Sequence, residues 1–495
     1  MIIYIKGHEF NYELEKLTRL FFPFERIDFV TDEIEIREKS GLFAAATAEK
    51  QGEDFLLNAK AKIGEKEVNK SKIWNINKGV LNLPEKELEH CLAGLLFDCY
   101  SELTNYKPAW GILTGIRPAK LYRRFENFLG DKVDDYFREV FKVDNLKLDL
   151  LRRTAKSEEI IVSRSLNNSV SIYISIPFCP SRCSYCSFVS HSIEKAADLI
   201  PEYLDLLCKE IEYTASIVKD LNLKVMTVYV GGGTPTTLTA PQMERLLKTV
   251  RDNFGEDFEE FTVEAGRPDT ITKEKLEVIL NAGADRISIN PQTMNNSVLK
   301  AIGRRHTAED TVEKFNLARS LGFKNINMDL IAGLPTDNLE SFKNTLNQIV
   351  NLNPESVTIH SLSLKRSSNI TKVGEHLCFD EGIMAGEMVS YGEKILTEKG
   401  ILPYYMYRQS KTVGNLENVG YSKPENQGIY NVYIMDETHT ILACGASAVS
   451  KLKARDDGKI ERIFNFKYPY EYIKQFDEII RRKGRIKEFY AEHSN

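Results

Sequence analysis

Two periodicities divide the chain. Up to about residue 165, the segments MIIYIKG, DEIEIREK, GLFAAATAEK and EDFLLNAKAKI alternate apolar and polar positions between Gly-containing or charged turns, which predicts a small antiparallel sheet. Helical spacing follows in KELEHCLAGLLFDCYSELT, with Cys91 and Cys99 on or near the apolar stripe and read as packed thiols. In WGILTGIRPAKLYRR, Pro118 stands where a first helical turn tolerates it, and Gly111 and Gly115 permit a tight approach. From about 168 to 400 the pattern becomes a repeated strand-then-helix alternation, the mark of a parallel sheet or barrel. The strands are SIYISI, KVMTVYV, EEFTVEA, ADRISIN, NINMDLI and SVTIHSL, with PEYLDLLCKEIEYTASIVKDL and NLESFKNTLNQIV among the helices between them. The expectation is an α/β chain: an α+β domain over 1–165, a partial (β/α)6 barrel over 166–400 and a small α+β covering domain over 401–495.

Composition narrows the class. With 42% apolar and 28% charged residues the chain reads as globular, and no segment approaches the roughly 18 apolar residues of a membrane span. The start, MIIYIKGHEF, lacks the pattern of a signal peptide, so a cytoplasmic protein is expected. Eight cysteines, five of them scattered, suit a reducing compartment better than a disulfide framework. The formal net charge is −5 and no Lys/Arg run offers a polyanion track, so nucleic acid is not the expected partner.

The chemistry concentrates in YISIPFCPSRCSYCSF, which follows the first barrel strand and brings Cys179, Cys183 and Cys186 within eight residues. Three soft thiolates imply a metal site, and three suit a [4Fe-4S] cubane with one iron left open. An open iron can chelate the amino and carboxylate groups of S-adenosylmethionine and pass an electron into its sulfonium. A three-Cys zinc knuckle completed by His191 is the competing reading, disfavoured by the long α/β domain that follows. After the second strand, Gly231-Gly232-Gly233-Thr234 lets backbone come close to a ligand. Further polar residues recur at strand ends: Glu264, Gln292, Asp329, His360 and Ser363, with Arg304 after a short helix. Cys208 and Cys444 read as core, and Cys378 has no partner nearby in sequence.

On these residues the region from about 168 to 450 resembles the radical S-adenosylmethionine superfamily and, within it, the oxygen-independent coproporphyrinogen III oxidase group. GILTGIRPAKL and GNLENVGY look like the HemZ-type coproporphyrinogen dehydrogenase branch. The resemblance implies a radical-SAM barrel in which Cys179, Cys183 and Cys186 hold the cluster, while Tyr173, Gly232 and Glu264 contact S-adenosylmethionine. It implies a second S-adenosylmethionine at Tyr185, Gly233, Thr234, Gln292, Arg304 and Asp329, with Ser363 and Val449 as further matches. The pattern departs at Ser175, where the family has His, and at Asn418-Val419, where it has an aromatic-Gln pair. The implied activity is oxidative decarboxylation of coproporphyrinogen III to protoporphyrinogen IX by a 5'-deoxyadenosyl radical, with an electron donor and an electron acceptor as partners. A haem-binding chaperone, or another radical enzyme acting on porphyrins, is the alternative. A tetra-anionic substrate calls for cations, and Arg117, Lys365, Arg366 and Arg408 are the candidates.

Overall fold

The computed structural model describes residues 1–32, 41–79, 81, 84–186, 191–363, 380–409, 412–455 and 458–493. Two compact units emerge, Met1–Ala155 with Arg408–Ser410, and Lys156–Tyr407 with Lys411–Asn495. The first ends short of the expected boundary at 165. Residues beyond it already serve the second: Glu158 accepts a hydrogen bond from Met406 N, and Ile161 O accepts one from the Tyr433 hydroxyl.

In the first unit the sheet is mixed rather than antiparallel. The strand Ile2–Lys6 lies between Asp28–Val30 and Leu42–Gln51 and runs parallel to both. The cause is the helix Asn11–Phe21, whose length returns the chain to the same end of the sheet before the next strand starts. The rest is an antiparallel meander, Leu42–Gln51, Asp54–Ile63 and Lys66–Asn75, turned at Gly52 and Gly64, both at positive φ. The last of these strands is absent from the apolar pattern because it is a Lys-rich edge burying little besides Trp74. DEIEIREK, expected as a strand, lies almost wholly outside the described residues. Ala44, Ala46, Ala59 and Ala61 form a buried small-residue floor for the helix Pro84–Thr104, where Cys99 Sγ donates to Ala59 O at 3.3 Å. Cys91 and Cys99 are therefore core thiols, with burial pushing Cys99 up to about 12.

The second unit carries the six expected strands in sequence order and all parallel: Ser169–Ile176, Lys224–Gly232, Glu260–Gly266, Arg286–Ile289, Asn325–Ala332 and Ser356–Ser361. Helices intervene at every step, and the strands are buried almost throughout, as a sheet covered on both faces requires. Residues 401–495 add strands to both edges of this sheet. Glu417–Ser422 pairs antiparallel with the sixth barrel strand, and Thr440–Cys444 pairs parallel with the first. Between them the helix Ile429–Asp436 crosses from one edge to the other. Its first amides, those of Ile429 and Tyr430, donate to the Glu260 carboxylate on the third strand. No helix among the described residues is long and apolar enough to cross a membrane.

One buried ion pair ties the C-terminal helices to the barrel. Lys483 Nζ lies 3.2 Å from Glu210 Oε1, and the side chains are 1% and 0% exposed. Glu210 also accepts from Gly445 N, the Tyr472 hydroxyl and Asn465 Nδ2 at 2.6–2.7 Å. Lys483→Met would leave that carboxylate charged and unpaired in the core, and we expect a loss of about 3–5 kcal/mol. Denaturant unfolding checks it: the single variant should unfold earlier, while Glu210→Gln/Lys483→Met, which removes the buried charge and keeps an acceptor for the neighbouring donors, should regain part of the loss. An unchanged midpoint in the single variant would count against the pair.

Candidate functional site

The thiol loop leaves the first barrel strand at Ile176 and is fixed by the end of the second. Gly233 N donates to Ile176 O and Thr234 N donates to Phe178 O, both at 2.8 Å. Each glycine answers a separate demand. A Cβ at 231 would lie 3.2 Å from the Glu264 carboxylate, Gly232 has φ +109°, and a Cβ at 233 would stand 2.9 Å from Cys179 Sγ. Thr234 is buried, its hydroxyl directed at Cys179 Sγ at 3.5 Å. Gly233 and Thr234 therefore press on the loop that carries the first thiol.

Cys179 and Cys183 are buried, Cys186 is half-buried, and none of the three is in a disulfide. A turn joins the last two, with Cys186 N donating to Cys183 O at 3.2 Å. Across the loop runs the turn before Arg304: Ser184 N donates to Ile302 O at 3.0 Å, and Arg304 itself donates to the Tyr185 hydroxyl at 3.1 Å and to Asn290 O at 2.5 Å. Burial opposes the charge of Arg304, but Tyr185 and Cys183 more than offset it and raise its pKa. Among the described residues no three His, Cys, Asp or Glu side chains gather as ligands of one ion. A cubane asks for a different arrangement, each thiolate on its own iron, and a soft set of three thiols beside a cation and a glycine cradle suits it. His191, the fourth ligand of the zinc reading, stands edge-on to Tyr468 and Tyr470, with ring centroids 5.7 and 6.3 Å away.

Beside the loop, an aromatic and acidic wall lines the barrel interior. The register sets Tyr173 opposite Tyr229, and Tyr430 stacks on Tyr229 at 4.6 Å. Tyr229 donates to Glu264 Oε1 at 2.5 Å. Burial pushes the Glu264 carboxyl up to about 7, against this hydrogen bond and with the help of the Asp329 charge. Asp329 behaves oppositely: burial would raise it, but His360 and Asn327 hold it below the usual carboxylate range. Asn327 Nδ2 donates to Asp329 Oδ1 at 2.7 Å and His360 Nε2 lies 3.8 Å from Oδ2. Gln292, at φ +70°, bridges to this strand, donating to Asp329 O at 2.9 Å and accepting from Ile331 N at 3.0 Å. Two carboxylates, on the third and fifth strands with one strand between them, thus differ in proton affinity, one poised near neutrality and one ionised.

The sequence departures have structural roles. Ser175 is buried, its carbonyl accepting from the Tyr203 hydroxyl at 2.8 Å, and a Cβ at Gly445 would lie 3.2 Å from Ser175 Cβ. Asn418 Oδ1 accepts from Ser361 N at 3.0 Å and stitches the sixth strand to its neighbour. Ser363 forms an isolated bridge to Thr412, and Val449 opens the strand Val449–Lys453, which is paired on both sides. Of the cations offered as anchors, Arg408 is buried, donating to Leu113 O and lying 5.3 Å over the Trp110 ring, so it holds structure instead. Arg117 precedes the helix Pro118–Leu129 as its N-cap, and Lys365, Arg366 and Cys378 lie outside the described residues. Cys208 and Cys444 are core thiols, with burial pushing Cys444 up to about 11. Two participants went unnoticed in the sequence: Tyr430, which only tertiary packing brings here, and Arg267, whose place just past the third strand was a usable signal.

The profile of the Radical SAM superfamily matches residues 173–349. Over 398 residues, 79% of this chain and 79% of the relative, the chain is 39% identical to the oxygen-independent coproporphyrinogen-III oxidase-like protein HemZ of Bacillus subtilis. The heme chaperone HemW of the same organism is 37% identical over 194 residues, 39% of this chain and 50% of the relative. Among solved structures, coproporphyrinogen III oxidase (HemN) from Escherichia coli aligns over 64% of this chain and 71% of its own, with a TM-score of 0.49 and 24% identity.

The Glu264 assignment is testable in the metal-free protein. Its carboxyl stretch should titrate near pH 7 in difference infrared spectra, assigned by Glu264→Gln. Tyr229→Phe removes a donor that favours the carboxylate and should move the midpoint upward. A midpoint at an ordinary carboxylate value in both proteins would refute the burial argument.

Proposed function

The chain belongs to the radical S-adenosylmethionine superfamily and, within it, to the HemZ-type branch of the oxygen-independent coproporphyrinogen III oxidase group, and from that premise we propose that it decarboxylates coproporphyrinogen III to protoporphyrinogen IX. Its cofactors are those of the superfamily, a [4Fe-4S] cluster and S-adenosylmethionine. When bound, they supply a 5'-deoxyadenosyl radical that takes a hydrogen from the β-carbon of a propionate, after which carbon dioxide and one electron leave and a vinyl group remains.

The observation that carries the reading is the loop of three thiols pinned against Gly233-Thr234, with Glu264 at the end of the next strand. In this reading Cys179, Cys183 and Cys186 hold the cluster. Tyr173, Gly232 and Glu264 bind S-adenosylmethionine, the Glu264 carboxylate accepting from its ammonium. The glycines admit backbone close to the ligand, and the stacked tyrosines exclude water from the barrel interior. Gln292, Arg304 and Asp329 line the further positions at which a second S-adenosylmethionine would bind, beside Tyr185. Gly233 and Thr234 steady the loop from below. The electron given up by the substrate passes to an acceptor outside this chain.

The test is anaerobic reconstitution with iron and sulfide, then incubation with a low-potential reductant, S-adenosylmethionine and coproporphyrinogen III. The expected product carries two new vinyl groups, and Cys183→Ala should lose both the cluster and the product. Stoichiometric haem capture without turnover would replace this reading with the chaperone function named for HemW.

A further inference from the structure

The three thiols do not share one environment. Cys183 Sγ stands between two guanidinium groups: the Arg304 charge acts on it from the side of Tyr185, and Arg267 Nη1 approaches at 4.0 Å, the outer edge of an N–H···S contact. Arg267 is 4% exposed, and its fork is divided between two tasks. Nε and Nη2 donate to the two oxygens of Asp269 at 3.0 and 2.7 Å. Nη1 is thereby aimed at the thiol loop, donating to Ser181 Oγ at 2.7 Å and Ser181 O at 3.1 Å on its way to the sulfur. A planar five-donor fork can meet both demands at once and a lysine cannot. Behind Asp269 packs His306, Nδ1 4.0 Å from the carboxylate, which keeps water from the far side of the pair.

We propose that Arg267 is a positioning residue that fixes the thiol loop through Ser181 and sets the reduction potential of the cluster through Cys183. The proposal rests on the assignment of Cys179, Cys183 and Cys186 as cluster ligands. Its physical basis is charge. Adding an electron makes a thiolate-ligated cluster more negative, and a buried N–H donor on a ligand sulfur stabilises that state, because solvent and salt screen it poorly. Asp269 opposes Arg267 by neutralising part of its charge, so the two residues act with opposite sign.

Redox titration of the reconstituted protein, followed by electron paramagnetic resonance in the absence of S-adenosylmethionine, reads the potential directly. Arg267→Gln should keep its iron and sulfide but reduce about tenfold less favourably, a midpoint ~59 mV more negative for a one-electron couple. Asp269→Asn leaves the cation uncompensated and should move the midpoint in the positive direction. Opposite shifts support the proposal; shifts of the same sign, or none in fully loaded variants, overturn it. Should Arg267→Gln lose its cluster, Asp269→Asn decides alone, a zero or negative shift overturning the role. Wild type and Cys183→Ala run alongside: a wild-type protein that assembles no cluster refutes the ligand assignment itself, a result distinct from an unmoved potential.

Discussion

The site depends on a close approach of two backbone segments. The end of the second barrel strand donates two amides to the start of the thiol loop, at Ile176 O and Phe178 O, and this is possible only because position 233 has no side chain to collide with Cys179 Sγ. A loop of three thiols and no regular structure would otherwise sample many arrangements, since each unrestrained residue carries about 1–2 kcal/mol of backbone entropy. Anchoring its base to a strand that is itself buried transfers the rigidity of the sheet to the first sulfur. The second anchor, Ser184 N on Ile302 O, does the same for the far side. The loop is held at both ends by turns following different barrel strands, so the spacing of its thiols is set by the sheet.

The same barrel interior has to tolerate charge. Glu260 and Arg286 are buried and Glu264 and Asp329 half-buried, and isolated charges there would be costly. Each is answered locally. Glu260 caps the helix Ile429–Asp436, Arg286 Nη2 donates to Ser356 Oγ at 3.1 Å, and Asp329 is held by Asn327 and His360. Glu264 receives a neutral donor, the Tyr229 hydroxyl, and so keeps a raised proton affinity. A carboxyl of that kind is available for a cationic ligand, which would supply the missing countercharge. The crossing helix matters here because Tyr430 completes the stack that keeps this environment dry.

What the sequence revealed follows from the range of each determinant. Cys179, Cys183 and Cys186 sit on one loop and the six strands repeat one local pattern, so both were legible. The first strand's parallel neighbours were not, because direction depends on where the Asn11–Phe21 helix returns the chain. Nor was the Lys66–Asn75 strand, whose outward face carries the polar residues an exposed edge needs. Arg408 shows the limit for cations. Its type suggested a carboxylate anchor, while burial against Trp110 and Leu113 commits it elsewhere, and only burial separates the two fates. Thr234 is a similar case, a hydroxyl in a ligand-like position that turns back toward Cys179.

The chain is similar both to a coproporphyrinogen-III oxidase-like protein and to a heme chaperone, so the choice between a decarboxylase and a haem carrier turns on what else the chain offers a porphyrin. Holding haem iron asks for an axial ligand with a free lone pair. Among the described histidines of the second unit, His360 is the one at the C-terminal end of a barrel strand, and its ring is engaged on both sides, by Asp329 at 3.8 Å and the Tyr407 hydroxyl at 3.3 Å. His439 is stacked on Tyr433 at 3.7 Å and bonded through both nitrogens to Ser171 and Ser165. His306 is enclosed behind Asp269. Recruiting any of these three to iron would dismantle a contact that holds the barrel or the loop, whereas His191, beside the thiols, keeps Nε2 without a hydrogen-bond partner among the described residues.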